Sequence, residues 1–256
     1  MKSKKLLTRA SGFVLLASLL FLWQWSALYW VQSTNWPPVT EIAKALVVAI
    51  RSGELPEVMG SSLYRMFLGY SSGVAAAVSL GLCMASVRWV RVSLEPLLEF
   101  LRPIPIPAIV PPLILILGVD DAMKIFVVAF SAFFPVLINT IAGVRSVEPT
   151  ALDVARTFKH SRIAIVVKVI LPASMPYILA GMRVSLALAL IVTVVAEMIA
   201  GSAGIGYYIL TMQYAMRASE MYASIFLLAI TGYLLNRLIL SIEHRVLHWF
   251  RRSSIV

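Results

Sequence analysis

Residues 148–176 read EPTALDVARTFKHSRIAIVVKVILPASMP, a polar and basic passage set between long apolar runs. Glu148-Pro149-Thr150 marks a helix start, because proline fits the first turn, where its missing N–H costs nothing. Asp153 adds negative charge near the positive end of the helix dipole. Ala151, Leu152, Val154 and Ala155 carry a short helix, and Arg156, Lys159, Arg162 and Lys168 make the stretch basic. Leu171-Pro172 and Pro176 are expected to punctuate the return to apolar sequence. Taken by its residues alone, such a segment is a scaffold or a piece lying on a membrane face.

The surroundings say which solvent the chain meets. Apolar residues make up 60% of the 256, only 13% are charged, and the mean hydropathy is +0.89. So little polar surface cannot cover a water-facing exterior, so lipid is part of the solvent. A net charge of +10 invites a nucleic-acid reading. The basic residues gather at the ends of apolar runs, however, and form no stripe with interleaved aromatics, which excludes that partner. Cys83 stands alone in an apolar run, and His160, His244 and His248 are scattered, so neither a disulfide framework nor a metal site is expected.

Outward from the central stretch, the apolar runs predict six transmembrane helices at about 12–31, 64–87, 108–119, 125–144, 177–199 and 221–242. The first is read as an uncleaved span, since its apolar run is long and no small-x-small site closes it. Trp23, Trp25, Tyr29, Trp30 and Trp36 thicken toward its far end as an interfacial belt. Residues 40–50 form an amphipathic piece on the outer surface. Gly69, Gly73, Ala77 and Gly81 recur every four residues, a small-residue stripe that lets another backbone approach. Packing within the chain is one use of that stripe and a dimer seam is the other.

Leu94, Leu97, Leu98 and Leu101 fall on one helix face and Glu95, Glu99 and Arg102 on another, which predicts a helix lying on the cytoplasmic interface. Pro103, Pro105 and Pro107 end it, and Pro111-Pro112 interrupt the third span. Asp120, Asp121 and Lys124 make a tight outer turn, and residues 201–219, with Gly201, Gly204 and Gly206, form an outer connection with a partly re-entrant helix. Segments assigned to the cytoplasm hold Lys2, Lys4, Lys5, Arg9, Arg88, Arg91, Arg102, Arg145, Arg156, Lys159, Arg162, Lys168, Arg237, Arg245, Arg251 and Arg252. The outer ones hold only Lys44, Arg51, Lys124 and Arg217. That bias places both termini in the cytoplasm.

No G-x-x-x-x-G-K-[ST], H-E-x-x-H or G-x-S-x-G occurs, and no histidine lies in a span. Catalytic residues are therefore not expected, and an ATP-driven transporter built on this chain borrows its motor from elsewhere. Glu197, in VVAEMIAG, is costly in a span. Either it lines the path or pairs with a basic group at an outer gate, or it is a helix-end carboxylate bonded to the glycine-rich turn. Arg183 either snorkels to the interface or meets an anion. Asn139 and Thr193 line a polar path or serve as interhelical hydrogen-bonders.

Asp153, Val154, Ala155, Lys159, Val169, Leu171 and Pro172 fall in the register E-A-A-x-x-x-G, nine residues, I-x-L-P. This is similar to the loop that marks the membrane subunits of ABC importers. Ala155, Leu171 and Pro172 match the pattern, while Asp153 stands for Glu and Lys159 for the glycine that eases a left-handed turn. RPIPIPAIVPPLILILGVDDAMK (102–124), SAFFPVLINTIAGVRSV (131–147) and LPASMPYILAGMRVSLALALIVTVVAEMIAG (171–201) resemble the permeases of the nitrate, sulfonate and taurine group.

The resemblance, over residues 37–245, implies an all-α type I importer permease, one domain over residues 1–256. It implies a homodimer in the inner membrane with two ATPase copies and a periplasmic or lipid-anchored solute-binding protein. It also implies that residues 148–172, with Glu148, Asp153, Ala155, Arg156, Lys159, Leu171 and Pro172, couple to the ATPase. ATP and Mg belong to that partner, with no cofactor on this chain. An ion-gradient transporter would prefer paired ionisable groups at the bilayer midplane and an internal repeat, neither of which the sequence displays. A non-transporting membrane scaffold is the other rival.

Overall fold

The computed structural model describes residues 2–31 and 33–248, and of residues 2–11 and 13 the helical backbone alone. The basic side chains of Lys2, Lys4, Lys5 and Arg9, and those of Arg251 and Arg252, lie outside the described residues. Regular structure in the described chain is helical throughout. It comprises α1 (Lys2–Ser26, extended by a π turn at Ala27–Val31), α2 (Val39–Arg51), α3 (Glu54–Ser86), α4 (Arg88–Leu101), α5 (Ile106–Leu117) and α6 (Asp121–Arg145). It continues with α7 (Pro149–Thr157), α8 (Arg162–Ile165), a π turn at Val166–Ile170, α9 (Leu171–Ala200), α10 (Ile205–Tyr214) and α11 (Ala218–Val246).

Five helical stretches are long and apolar enough to cross a bilayer: Val14–Val31, Glu54–Ser86, Asp121–Arg145, Arg162–Ala200 and Ala218–Val246. The expected third span differs. Its helix α5 has 12 residues, about 18 Å, well short of a hydrocarbon core of about 30 Å. It makes a sixth span only together with α4, from which it is bent by 99°. Pro103 and Pro105 stand at that bend. With no residue buried and its leucines and charges on different faces, α4 has the character of a helix lying along a membrane face.

The core is α6 clamped between α3 and α9. Val127, Val128, Ala132 and Val136 of α6 are fully enclosed, and the small stripe of α3 explains how. A Cβ added at Gly73 would sit 2.4 Å from the carbonyl oxygen of Ala129, so the two backbones touch without a side chain between them. Of its two uses, the stripe serves packing within the chain. Helix α1 reaches the bundle through rings: Trp23 stacks on Trp36 at 4.7 Å and meets Tyr222 edge-on at 5.3 Å. Trp23 Nε1–H donates to the Pro37 carbonyl and Trp36 Nε1–H to Ser26 Oγ.

Pro172 and Pro176 do not break the chain as expected. Residues Arg162–Ala200 run as one 39-residue helix, so the fifth span begins well before residue 177. In an α-helix the Pro172 ring would press on the Lys168 carbonyl, which it also could not bond. The turn ahead of it widens instead, with the Leu171 N–H donating to the Val166 carbonyl five residues back. A π turn accommodates the proline without ending the helix.

Candidate functional site

Two features stand at opposite ends of the bundle: a buried charge cluster near the C-terminal end of α9, and the α7–α8 turn at its N-terminal end. The cluster centres on Glu197, which is 0% exposed. Arg65 of α3 donates from Nη1 to Glu197 Oε1 at 2.9 Å and from Nε to Asp121 Oδ1 at 2.5 Å. Ser62 Oγ lies 2.8 Å from Glu197 Oε2, and the Gly206 N–H donates to the same oxygen at 3.0 Å. The Ile205 N–H donates to Ser62 Oγ at 2.8 Å. Two of the first N–H groups of α10 are thereby satisfied, and the carboxylate sits at the positive end of that helix.

Lys124 completes the cluster, buried with Nζ 3.9 Å from Asp121 Oδ1. Two cations thus face two carboxylates. Such balance makes burial tolerable, since an unpaired charge in a dry site is far more costly than a paired, hydrogen-bonded one. Gly204 makes the approach possible: its φ is +107°, and a Cβ there would fall 2.2 Å from Glu197 Oε1. Both uses considered for Glu197 meet in one place, the bond to the glycine-rich turn and the pairing with a base.

Sequence alone does not offer Arg65, Ser62, Asp121 and Lys124 as partners, and Lys124, expected in a tight outer turn with Asp120 and Asp121, is buried. One signal was present: an arginine inside a span requires a carboxylate, and Glu197 is the acidic residue deepest in one.

The other path candidates do not join this cluster. Thr193 is buried, and its hydroxyl donates to the Ala189 carbonyl of its own helix. Asn139 Nδ2 donates to the Pro135 carbonyl at 2.8 Å, where α6 meets Gly181 of α9. Arg183 is partly exposed and lies 3.4 Å from Glu243 Oε2 of α11.

At the other end, Glu148 is the residue preceding α7, and Pro149 its first. Asp153 and Arg156 form an ion pair at 3.0 Å in which both side chains are 69% exposed, so it contributes little to stability. Ala155 is the one buried residue of α7. Lys159, which stands where the family pattern has glycine, adopts φ +54°. Its N–H donates to the Arg156 carbonyl, and the His160 N–H to the Ala155 carbonyl. This paired C-terminal motif requires a left-handed residue and ordinarily takes glycine. Met216 does the same after α10, with φ +56°.

Lys159 is exposed, so Lys159→Gly removes strain and no packing. We expect a gain of about 1 kcal/mol, the left-handed penalty less the added chain entropy of glycine. Thermal unfolding of the detergent-solubilised protein checks it, and a variant less stable than the parent would contradict the strain argument.

Comparison with known proteins gives this geometry its family. Residues 73–251 match the family described as binding-protein-dependent transport system inner membrane component. A protein of Bacillus subtilis (strain 168) named for aliphatic sulfonates transport, the permease protein SsuC, is 34% identical over 239 residues, covering 93% of this chain and 87% of its own length. The nitrate import permease protein NrtB of Leptolyngbya laminosa is 32% identical over 188 residues, covering 73% of this chain and 67% of its own. Among solved structures, an inward-facing MetNI methionine ABC transporter matches with a TM-score of 0.65 at 18% identity, covering 75% of this chain and 95% of that one. That identity speaks for the fold alone. The all-helical architecture and the extent of the family match agree, and the chain belongs to the inner-membrane components of binding-protein-dependent transport systems.

Proposed function

We propose that two copies of this chain form the translocation path of an ATP-driven importer for a small anion such as a sulfonate, taurine or nitrate. A separate ATPase, in two copies, docks on the α7–α8 turn. A solute-binding protein delivers cargo to the opposite end, and ATP and Mg are held by the ATPase. The placement of basic residues supports a cytoplasmic α7 and cytoplasmic termini. The relatives named for sulfonates and nitrate support the substrate class.

One observation carries the docking reading. Ala155 is buried, while its neighbours Val154 and Phe158 are 56% and 74% exposed. Exposed apolar side chains beyond the membrane-crossing lengths, beside exposed charges, suit a protein partner. ATP would drive the cycle through its different affinity for the two states of the assembly. The Arg65–Glu197 pair lies within four residues of the end of α9, away from the midplane position that an ion-coupled carrier would favour.

Ala155→Trp forces a large ring into a closed contact, and Asp153→Lys breaks the Arg156 pair and reverses charge in the first turns of the helix. Each variant, reconstituted with the ATPase, is expected to lose at least about tenfold in ATP-dependent uptake, the equivalent of 1.4 kcal/mol, while still inserting and folding. Import at the parent rate by both would remove the docking role. Uptake by the chain in proteoliposomes lacking any ATPase would favour the gradient-driven alternative.

A further inference from the structure

A recess of about 270 Å³ lies between α4 and α6. Leu98 of α4 and Phe134, Leu137 and Ile138 of α6 line its apolar wall. Its rim carries Glu95 and Glu99 from α4, Arg102 just past the end of α4, and Arg145 from α6. These charges are poorly used by the protein itself. Arg145 Nη2 is 3.9 Å from Glu95 Oε1, with both side chains at least half exposed. Glu99 and Arg102 form no ion pair among the described residues.

The recess has a direction. Helix α4 is amphipathic with no residue buried, which suits a place along the membrane face. Arg145 ends α6, and Phe134 lies eleven residues back along it, about 16 Å deeper at the helical rise. The charged mouth is therefore at headgroup depth and the apolar wall runs into the hydrocarbon.

We propose that this recess binds a phospholipid with a zwitterionic, primary-amine headgroup. Its phosphate sits between Arg102 and Arg145, its ammonium between Glu95 and Glu99, and one acyl chain lies along the apolar wall. Two guanidiniums and two carboxylates sum to zero, so a zwitterion satisfies both pairs. A purely anionic head would leave the carboxylates facing negative charge. Carboxylates accept N–H bonds, which a primary ammonium donates and a quaternary choline does not. Arginine forks suit phosphate oxygens. A soluble aliphatic sulfonate would satisfy the arginines alone.

The purified full-length chain, stripped of lipid and mixed in turn with phosphatidylethanolamine, phosphatidylcholine and phosphatidylglycerol, tests this through lipid retention in native mass spectrometry. Phosphatidylethanolamine is expected to be retained at least about fivefold over both others, the worth of one headgroup charge contact. Arg102→Gln should lower that retention about fivefold, and Glu99→Gln should shift the preference toward phosphatidylglycerol. Both positions are exposed, so neither change threatens folding. Arg91→Gln, on α4 but not lining the recess, should change nothing. Equal retention of the three lipids overturns the proposal. So does an equal loss in Arg91→Gln, which would mean bulk charge attraction, or displacement of the bound lipid by hexanesulfonate, which would assign the recess to a solute.

Discussion

Glu197→Ala is expected to cost about 3–5 kcal/mol, the usual penalty for removing one partner of a buried ion pair. Arg65 would keep only the half-exposed Asp121 and a long bond to the Ala203 carbonyl, and the Gly206 N–H would be left in a dry site without an acceptor. Yield and melting temperature should both fall sharply. Glu197→Gln retains an acceptor for Gly206 and Ser62 but no charge, and should fall between. The informative variant is Arg65→Gln with Glu197→Gln, which removes both charges together and keeps an acceptor for the Gly206 N–H. If that double variant folds as well as the parent and still fails to import, the charges take part in transport. If it imports normally, they are architectural. Thermal unfolding and uptake, measured on the same preparations, separate the two, and a Glu197→Ala protein as stable as the parent would remove the cluster from both accounts.

Gly73→Val is expected to destabilise the chain by about 3 kcal/mol or more, at the upper end of overpacking effects. The neighbour that would be struck is the carbonyl oxygen of Ala129, 2.4 Å from the ideal Cβ. It belongs to a helix backbone, so no rotamer change relieves the contact, and α3 and α6 must separate. Ser72→Val is the control: it adds the same side chain one residue away, on an exposed position, and should change stability by no more than about 0.5 kcal/mol. Melting temperatures for the two variants within a degree of each other would show that the helices do not rely on this contact.

Much of this architecture is legible in the residues. Four of the six apolar runs, the four-residue spacing of Gly69, Gly73, Ala77 and Gly81, and the amphipathic pattern of 88–101 correspond to what the helices do. Lys159 stood out in the sequence as the departure from glycine, and it is there that the backbone turns left-handed.

What was not legible depends on distance in the chain. Arg65 and Glu197 are 132 positions apart, and no local periodicity reports such a pairing. Lys124 looked like one residue of a hydrophilic turn because its burial comes from α3 and α9, not from its neighbours in sequence. Pro172 misled for a different reason: proline removes one hydrogen bond, and whether the helix ends or widens depends on what the flanking turns can bond instead.

The unbroken run from Arg162 to Ala200 spans about 58 Å at the helical rise, with the α7–α8 turn at one extremity and the Glu197 cluster at the other. It acts as a lever arm: each 5° of tilt at one extremity sweeps the other through about 5 Å. The widened turn at Val166–Ile170 lies beside the α7–α8 extremity, so any tilt applied there enters the long helix through the one segment whose ladder runs to the fifth residue back.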